Sequence, residues 1–355
     1  MKWLLGSFFA CILSVPAAAQ EIDFAKWSNA CRAAAEKPAS PLAQKIADVA
    51  RQEKDIFKGH AVDPAGRITR WGNTEVEADA TENGRVKDRS EIPWQNVQRY
   101  WSNLSGVGPS QSGVDDAQGV LYYPKLADGQ VSTLDRRNIP VKRLLRVIRE
   151  MNIPAENGDA EAIREALRES VLRASISDTA WSAAFVSSVM DDAGVPRMKF
   201  ARSVSHISYI TDAMKRSLAD LKNEPGEDLY RACDPFNTKA RPGDLICYHR
   251  ESYAPRKGLS LHRSLMLDIA SGAKPISATH CEIVIEVDAK SKKIRTVGGN
   301  VQQAVTERTL NINKNDILSA AYGTKPCDRT GLSDKDKSTN CNLNDQAWFV
   351  LLQAR

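Results

Sequence analysis

Beyond its first twenty residues this sequence contains no apolar run approaching the ~18 residues that a transmembrane helix needs, so no integral membrane segment is expected there. It also lacks a surplus of either charge: 49 Lys and Arg stand against 44 Asp and Glu, a formal net charge of +5, with the two signs interspersed. Nucleic-acid binding draws on clustered cations, so nucleic acid is not expected as the partner. Tight metal knuckles are missing too, because no Cys-x2-4-Cys or His-x3-5-His spacing occurs. Cys247, His249, His280 and Cys281 form the one grouping a zinc site could use, and alternation along a strand turns Cys281 away from His280. Neither a metal nor another cofactor is expected. Histidine itself is scarce, with only His60, His206, His249, His262 and His280, which leaves few choices for a general base.

What is present begins with Lys2, a mostly apolar run from Trp3 to Val15 and the small-residue stretch Pro16-Ala17-Ala18-Ala19-Gln20. This pattern reads as a secretory signal over residues 1–19, and a periplasmic or secreted location follows from it. Without Cys11, which sits in the apolar run, the chain keeps Cys31, Cys233, Cys247, Cys281, Cys327 and Cys341, an even set that favours disulfides in an oxidising compartment. Cys327 and Cys341 bracket a polar loop and are the first expected pair. Cys247 and Cys281 fall in two strands expected to be neighbours, which leaves Cys31 for Cys233. The roughly 335 residues after the signal exceed a usual single core. They divide into an N-terminal helical region with a loop-rich insertion, 20–159, and a core over 160–355.

Leu42, Ile46, Val49, Ala50 and Ile56 have helical spacing, and Pro41 stands where a first helical turn tolerates proline, which predicts a helix over 40–58. Trp94, Val97, Tyr100 and Trp101 share one face of a second helix over 94–104, a stripe whose spacing reads as core packing rather than a sugar platform. Helices follow over 140–151 and 159–174, whereas 60–92 and 105–129 are polar, aperiodic and read as loops. The C-terminal half changes character: 244–248, 281–287, 294–297 and 348–352 are short runs rich in β-branched and aromatic residues. Helices first and an antiparallel sheet afterwards make an α+β class.

The chemistry-bearing residues sit where these halves meet. Asp178 and Thr179 are N-cap types, and Phe185, Val186 and Val189 follow Ser182 by three, four and seven residues, so Ser182 opens the buried stripe of a helix. A nucleophile there faces the sheet beside unpaired amides and the positive end of the helix. A serine hydroxyl also needs an adjacent base. His280 opens a strand, and Asn300 closes the next one after Gly298-Gly299; His280 is the expected base and Asn300 the residue that orients its ring. The same residue types also fit a serine that packs and a structural histidine. Glu282 shares a strand face with His280 and either orients it, raises its pKa, or faces solvent. His206, in Ser203-Val204-Ser205-His206-Ile207-Ser208-Tyr209-Ile210, either lines the cleft or is half-buried behind a cap. Tyr248-His249-Arg250 ends a strand and either forms the cleft rim or is a plain strand end. Trp181, His206 and Glu282 are the candidate substrate contacts.

Trp181-Ser182-Ala183-Ala184-Phe185-Val186, followed by Ala193-Gly194-Val195, resembles the W-C-A-A-F-V and A-G-V segments of the NlpC/P60 and CHAP-like amidase superfamily, with Ser in place of Cys. Pro242-Gly243-Asp244-Leu245-Ile246, His280 and Gly298-Gly299-Asn300 are similar to that superfamily's second strand, catalytic His and polar third residue. Glu282 departs from the small residue usual there. More closely, 181–186, 203–210, 242–250, the His280-Cys281-Glu282 strand and 297–301 resemble the DUF2272 family of exported bacterial proteins, over 44–103 and 160–310, with 105–158 as an insertion. The resemblance implies a papain-like core and a hydrolase of amide bonds in cell-wall peptide, with peptidoglycan or another envelope polymer as partner. Ser182 would attack, His280 would serve as base and acid, Asn300 would orient it, and helix amides would hold the oxyanion. The rival expectation is a non-catalytic protein that keeps the cleft to bind an envelope ligand.

Overall fold

The computed structural model describes residues 22–77, 81–82, 85–88, 91–104, 122–123, 139–154, 159–224, 226–250, 253–273, 276, 278–322 and 342–355. The expected signal segment 1–19, most of the 105–129 loop, and the Cys327 and Cys341 pair lie outside the described residues. In chain order the elements are α1 (Phe24–Ala35), α2 (Pro41–Ile56), β1 (His60–Val62), β2 (Ile68–Arg70), β3 (Thr81–Glu82), β4 (Arg85–Val86), α3 (Pro93–Ser102), β5 (Tyr122–Tyr123), β6 (Ile139–Pro140), α4 (Val141–Glu150) and α5 (Ala160–Asp178). There follow α6 (Ser182–Asp192), α7 (His206–Leu221), β7 (Tyr230–Cys233), β8 (Leu245–His249), α8 (Leu261–Ala270), β9 (Thr279–Asp288), β10 (Lys293–Val301), β11 (Ala304–Asn311) and β12 (Ala347–Ala354).

Eight strands form one open sheet in the order β2-β1-β11-β10-β9-β8-β12-β7. The β1–β11 pairing is parallel and the others in this sheet are antiparallel. With eight helices among the described residues, this is a mixed α/β arrangement whose sheet is mostly antiparallel. Four short strands lie in the stretch read as loop from 60 to 92: β3 and β4 pair with each other, while β1 and β2 extend the large sheet at one edge, each too short, at three residues, for a period to emerge. The N-terminal region therefore shares a sheet with the C-terminal half. It shares the core as well, since Trp27, Ile46, Tyr100, Phe185, Val297 and Leu351 belong to one buried cluster.

Local sequence explains the helices that set the core. Ser40 caps α2 by accepting from the Ala43 amide, with Pro41 at the first helical position. Trp94, Val97, Tyr100 and Trp101 are buried together on α3, as their spacing requires. The start of α6 differs from expectation: α5 runs through Asp178, Thr179 is its C-cap, and Trp181 occupies the N-cap of α6 with no side-chain cap bond.

Two glycines set distances the site depends on. Gly243 has φ +86° and its missing Cβ would meet the Ala43 carbonyl, so the turn into β8 sits tight against α2. A Cβ on Gly299 would lie 2.5 Å from Phe185 Cβ, so this glycine is what lets α6 press onto β10.

Disulfides join Cys31 to Cys233 and Cys247 to Cys281, the two pairings reached after the loop pair. The first ties α1 to β7 across a separation of 202 residues, and the second bridges directly paired residues of β8 and β9. They fit an exported protein. No helix among the described residues is long and apolar enough to cross a membrane.

Candidate active site

Ser182 is the first residue of α6, 7% exposed, and its Oγ lies 2.7 Å from His206 Nε2. Intrahelical bonding begins with the Phe185 amide donating to the Trp181 carbonyl, so the N–H groups of Ser182, Ala183 and Ala184 precede the helical ladder. Those three amides and the positive end of the helix flank the hydroxyl.

His206 opens α7 behind Ser205 and is 4% exposed. Its Nδ1 meets the Tyr209 hydroxyl in a short hydrogen bond, a contact that helical i,i+3 spacing permits. With Nδ1–H donating to Tyr209, Nε2 has its lone pair free for the Ser182 proton. Burial pushes the imidazole down to about 3, and the Arg250 charge adds to the effect, so the ring is neutral at physiological pH. Burial likewise holds the Tyr209 hydroxyl well above its ordinary value and therefore protonated.

His280 lies beside His206, with ring centroids 5.0 Å apart, and packs on Tyr248 at 5.1 Å. The Arg250 guanidinium donates to its Nδ1 at 3.1 Å, which leaves the proton on Nε2. Burial first, then His206, Arg250 and Arg308, hold this imidazole well below its ordinary value. The expectation that Glu282 would raise it is therefore corrected. Glu282 Oε1 does stand 3.9 Å from His280 Nε2, but the carboxylate is committed to Arg308, whose Nε donates at 2.9 and 3.1 Å, and to the Thr296 hydroxyl at 2.5 Å. The alternative of a solvent-facing Glu282 is also overturned, since it and Arg308 are both buried. Gly298 keeps the space open, because a Cβ there would lie 3.0 Å from His280 Nε2 and 2.9 Å from Glu282 Cγ.

The structure thus brings Ser182, His206 and His280 together from α6, α7 and β9, and the partner at hydrogen-bond distance from Ser182 is His206. Asn300 sits at the bulged end of β10 in left-handed backbone, φ 53°, and among the described residues the partner of His280 Nδ1 is Arg250. Trp181 is fully buried against Phe57 and Tyr100 and donates its indole N–H to Glu75 at 2.5 Å, so it packs beneath the site and offers no contact surface. Tyr209 was not singled out from sequence; its signal is its place three residues after His206 on a helix. Cys247 and Cys281 are bonded to each other, so neither sulfur is free to bind a metal. A groove of about 510 Å³ between α4 and α5, lined by Arg146, Arg149, Arg164 and Arg168 among others, contains none of these residues.

Residues 154–354 match the DUF2272 family, described as an uncharacterized protein conserved in bacteria. The chain belongs to the DUF2272 family. The match spans every element from α5 to β12, including β12 beyond residue 310, and leaves α1–α3 outside although they complete the core. The residues of the candidate site, Ser182, His206, Tyr209, Arg250 and His280, fall inside the matched span of this DUF2272 protein. No curated protein and no solved structure matches the chain.

Proposed function

We propose that this DUF2272 protein is an exported hydrolase of amide bonds, acting on cell-wall peptide, with Ser182 as nucleophile. The observation that carries the reading is the 2.7 Å approach of Ser182 Oγ to His206 Nε2 at an uncapped helix start. In this reading His206 takes the role of base, Tyr209 orients it, and His280 is the second imidazole of the site. Ser182 Oγ attacks the amide carbon while its proton passes to His206 Nε2, and the oxyanion faces the α6 amides. Collapse breaks the C–N bond as His206 returns the proton to the leaving nitrogen. Water then attacks the acyl-serine ester, giving its proton to His206 and restoring Ser182. The helix opening on Ser182 against a strand that carries His280 also supports a papain-like, NlpC/P60-type core with serine in place of cysteine.

A second reading is favoured by one observation: Ser182 and His206 are almost enclosed, and an imidazole pushed down to about 3 is a weak proton acceptor. That suits a non-catalytic envelope-ligand binding protein. Incubating the mature protein with isolated peptidoglycan and reading products by mass spectrometry separates the two. The hydrolase reading expects new amine and carboxyl ends with wild type and none with Ser182→Ala. Equal binding of a wall fragment by both proteins, without cleavage, would leave the binding protein standing.

A further inference from the structure

We infer that Arg250 is an anion-docking residue that receives a carboxylate carried by the substrate beside the scissile amide, so that the site takes acidic amide substrates. The inference rests on the hydrolase reading for the word substrate, though the binding itself does not depend on turnover.

Arg250 follows the last residue of β8, and it is exposed while Tyr248 and His249 before it are buried. It is not a free surface side chain. Its guanidinium donates to His280 Nδ1 at 3.1 Å, and its backbone amide donates to the Ala278 carbonyl at 2.8 Å. Its charge also reaches Tyr248, where it works against the rise that burial imposes on the hydroxyl's pKa. These contacts hold the planar fork at the edge of the site, and among the described residues its hydrogen-bond partners do not use up its five N–H donors.

The contrast with Arg308 on β11 shows what is missing. Arg308 is buried and neutralised by Glu282. Among the described residues no carboxylate lies within ion-pair distance of Arg250. Its charge acts inward instead, on both imidazoles. The groups facing it are His280 and Tyr248, with His206 behind His280. An arginine fixed by neutral groups, open to solvent and without a carboxylate partner among the described residues, is arranged for a planar anion brought by a ligand. Only two imidazole rings separate it from Ser182, so an anion there sits close to the reacting carbonyl in the same molecule. A bound anion would also offset the charge that weakens His206 as a base.

The test uses the full mature chain carrying Ser182→Ala, so that no turnover intervenes, with 13C-labelled histidine and N-acetylglycine as the probe. The expected result is a saturable shift of the His280 imidazole resonance by N-acetylglycine and none by N-acetylglycinamide. Arg250→Gln should weaken the carboxylate's binding tenfold or more, while Arg250→Lys, which keeps the charge, retains part of it. Equal shifts from acid and amide, no shift from either, or unchanged binding in Arg250→Gln would overturn the assignment. Because Ser182 is absent from the measurement, failure of the hydrolase reading leaves this result standing on its own.

Discussion

His206 and His280 are neighbours with ring centroids 5.0 Å apart, and burial depresses both, yet their surroundings differ in kind. His206 opens a helix and meets two hydroxyls, Ser182 at Nε2 and Tyr209 at Nδ1. His280 sits in mid-sheet and meets charges: Arg250 at Nδ1, and Glu282 near Nε2 with its carboxylate already held by Arg308. A ring between hydroxyls can pass a proton to a reacting atom. A ring between charges sets the field in which that transfer occurs. On the proposed hydrolase reading the two histidines divide the work of the site, and each prediction below breaks or sharpens that division.

The largest expected effect is on turnover. His206→Ala should lower kcat/KM by about 10^3-fold or more, in line with removal of a general base, and His280→Ala by about 10- to 100-fold. Steady-state kinetics on folded variants decides it; equal losses, or a larger loss at His280, would reverse the roles. Stability should show the opposite bias. Glu282→Gln leaves Arg308 buried without its counter-charge and should cost about 3–5 kcal/mol in urea unfolding. Tyr209→Phe removes one neutral hydrogen bond and should cost about 1 kcal/mol while still lowering kcat.

A smaller effect is expected where α6 presses on β10. Gly299→Ala places a methyl 2.5 Å from Phe185 Cβ and should destabilise by about 1–3 kcal/mol, with a matching loss of activity as Ser182 shifts. The same substitution at Gly258, with nothing near its Cβ, carries only the strain of its φ of +80° and provides the control.

The acid limb of stability is the mildest readout. Above pH 6.5 these histidines are neutral in both states. As pH falls below 6.5 the unfolded chain takes up protons that the native rings resist, His206 down to about 3, His262 down to about 4, and His280 well below its ordinary value. Their contribution is therefore lost progressively from pH 6.5 towards 3. Asp244, buried and raised to about 7, acts in the opposite sense, giving stability at low pH that is lost as pH rises from 3.8 to about 7. His60 is lowered as well, and Glu53 and Asp212 are raised like Asp244, so the share of one site histidine is read from its variant: His280→Phe should lose less stability than wild type on acidification between about pH 7 and about pH 4.5. An equal loss in wild type and His280→Phe would contradict the buried, neutral state of His280.

Much of this architecture was legible in the sequence because periodicity reports burial. Leu42 to Ile56, the Trp94 to Trp101 stripe and the strand runs ending in 348–352 all formed the expected elements. The two described disulfides followed from elimination and strand adjacency. What escaped was set by tertiary contact. Three-residue β1 and β2 carry no period, and their place is decided by pairing with β11 and with each other. In the site, strand position pointed to His280, yet nothing local to Ser182 reveals that the turn between α6 and α7 swings His206 Nε2 to 2.7 Å from its hydroxyl. Glu282 was legible as a neighbour of His280 by alternation, but its commitment to Arg308 depends on a strand, β11, that polar residues concealed.

The central claim is that Ser182 is a nucleophile activated by His206. Reaction of the mature protein with a fluorophosphonate, followed by peptide mass spectrometry, tests it without any assumption about substrate. The account predicts a phosphonyl adduct on Ser182, formed about 10^2-fold or more slowly in His206→Ala and only modestly more slowly in His280→Ala. An unlabelled Ser182 in folded wild type, or labelling that does not change when His206 is removed, would contradict it.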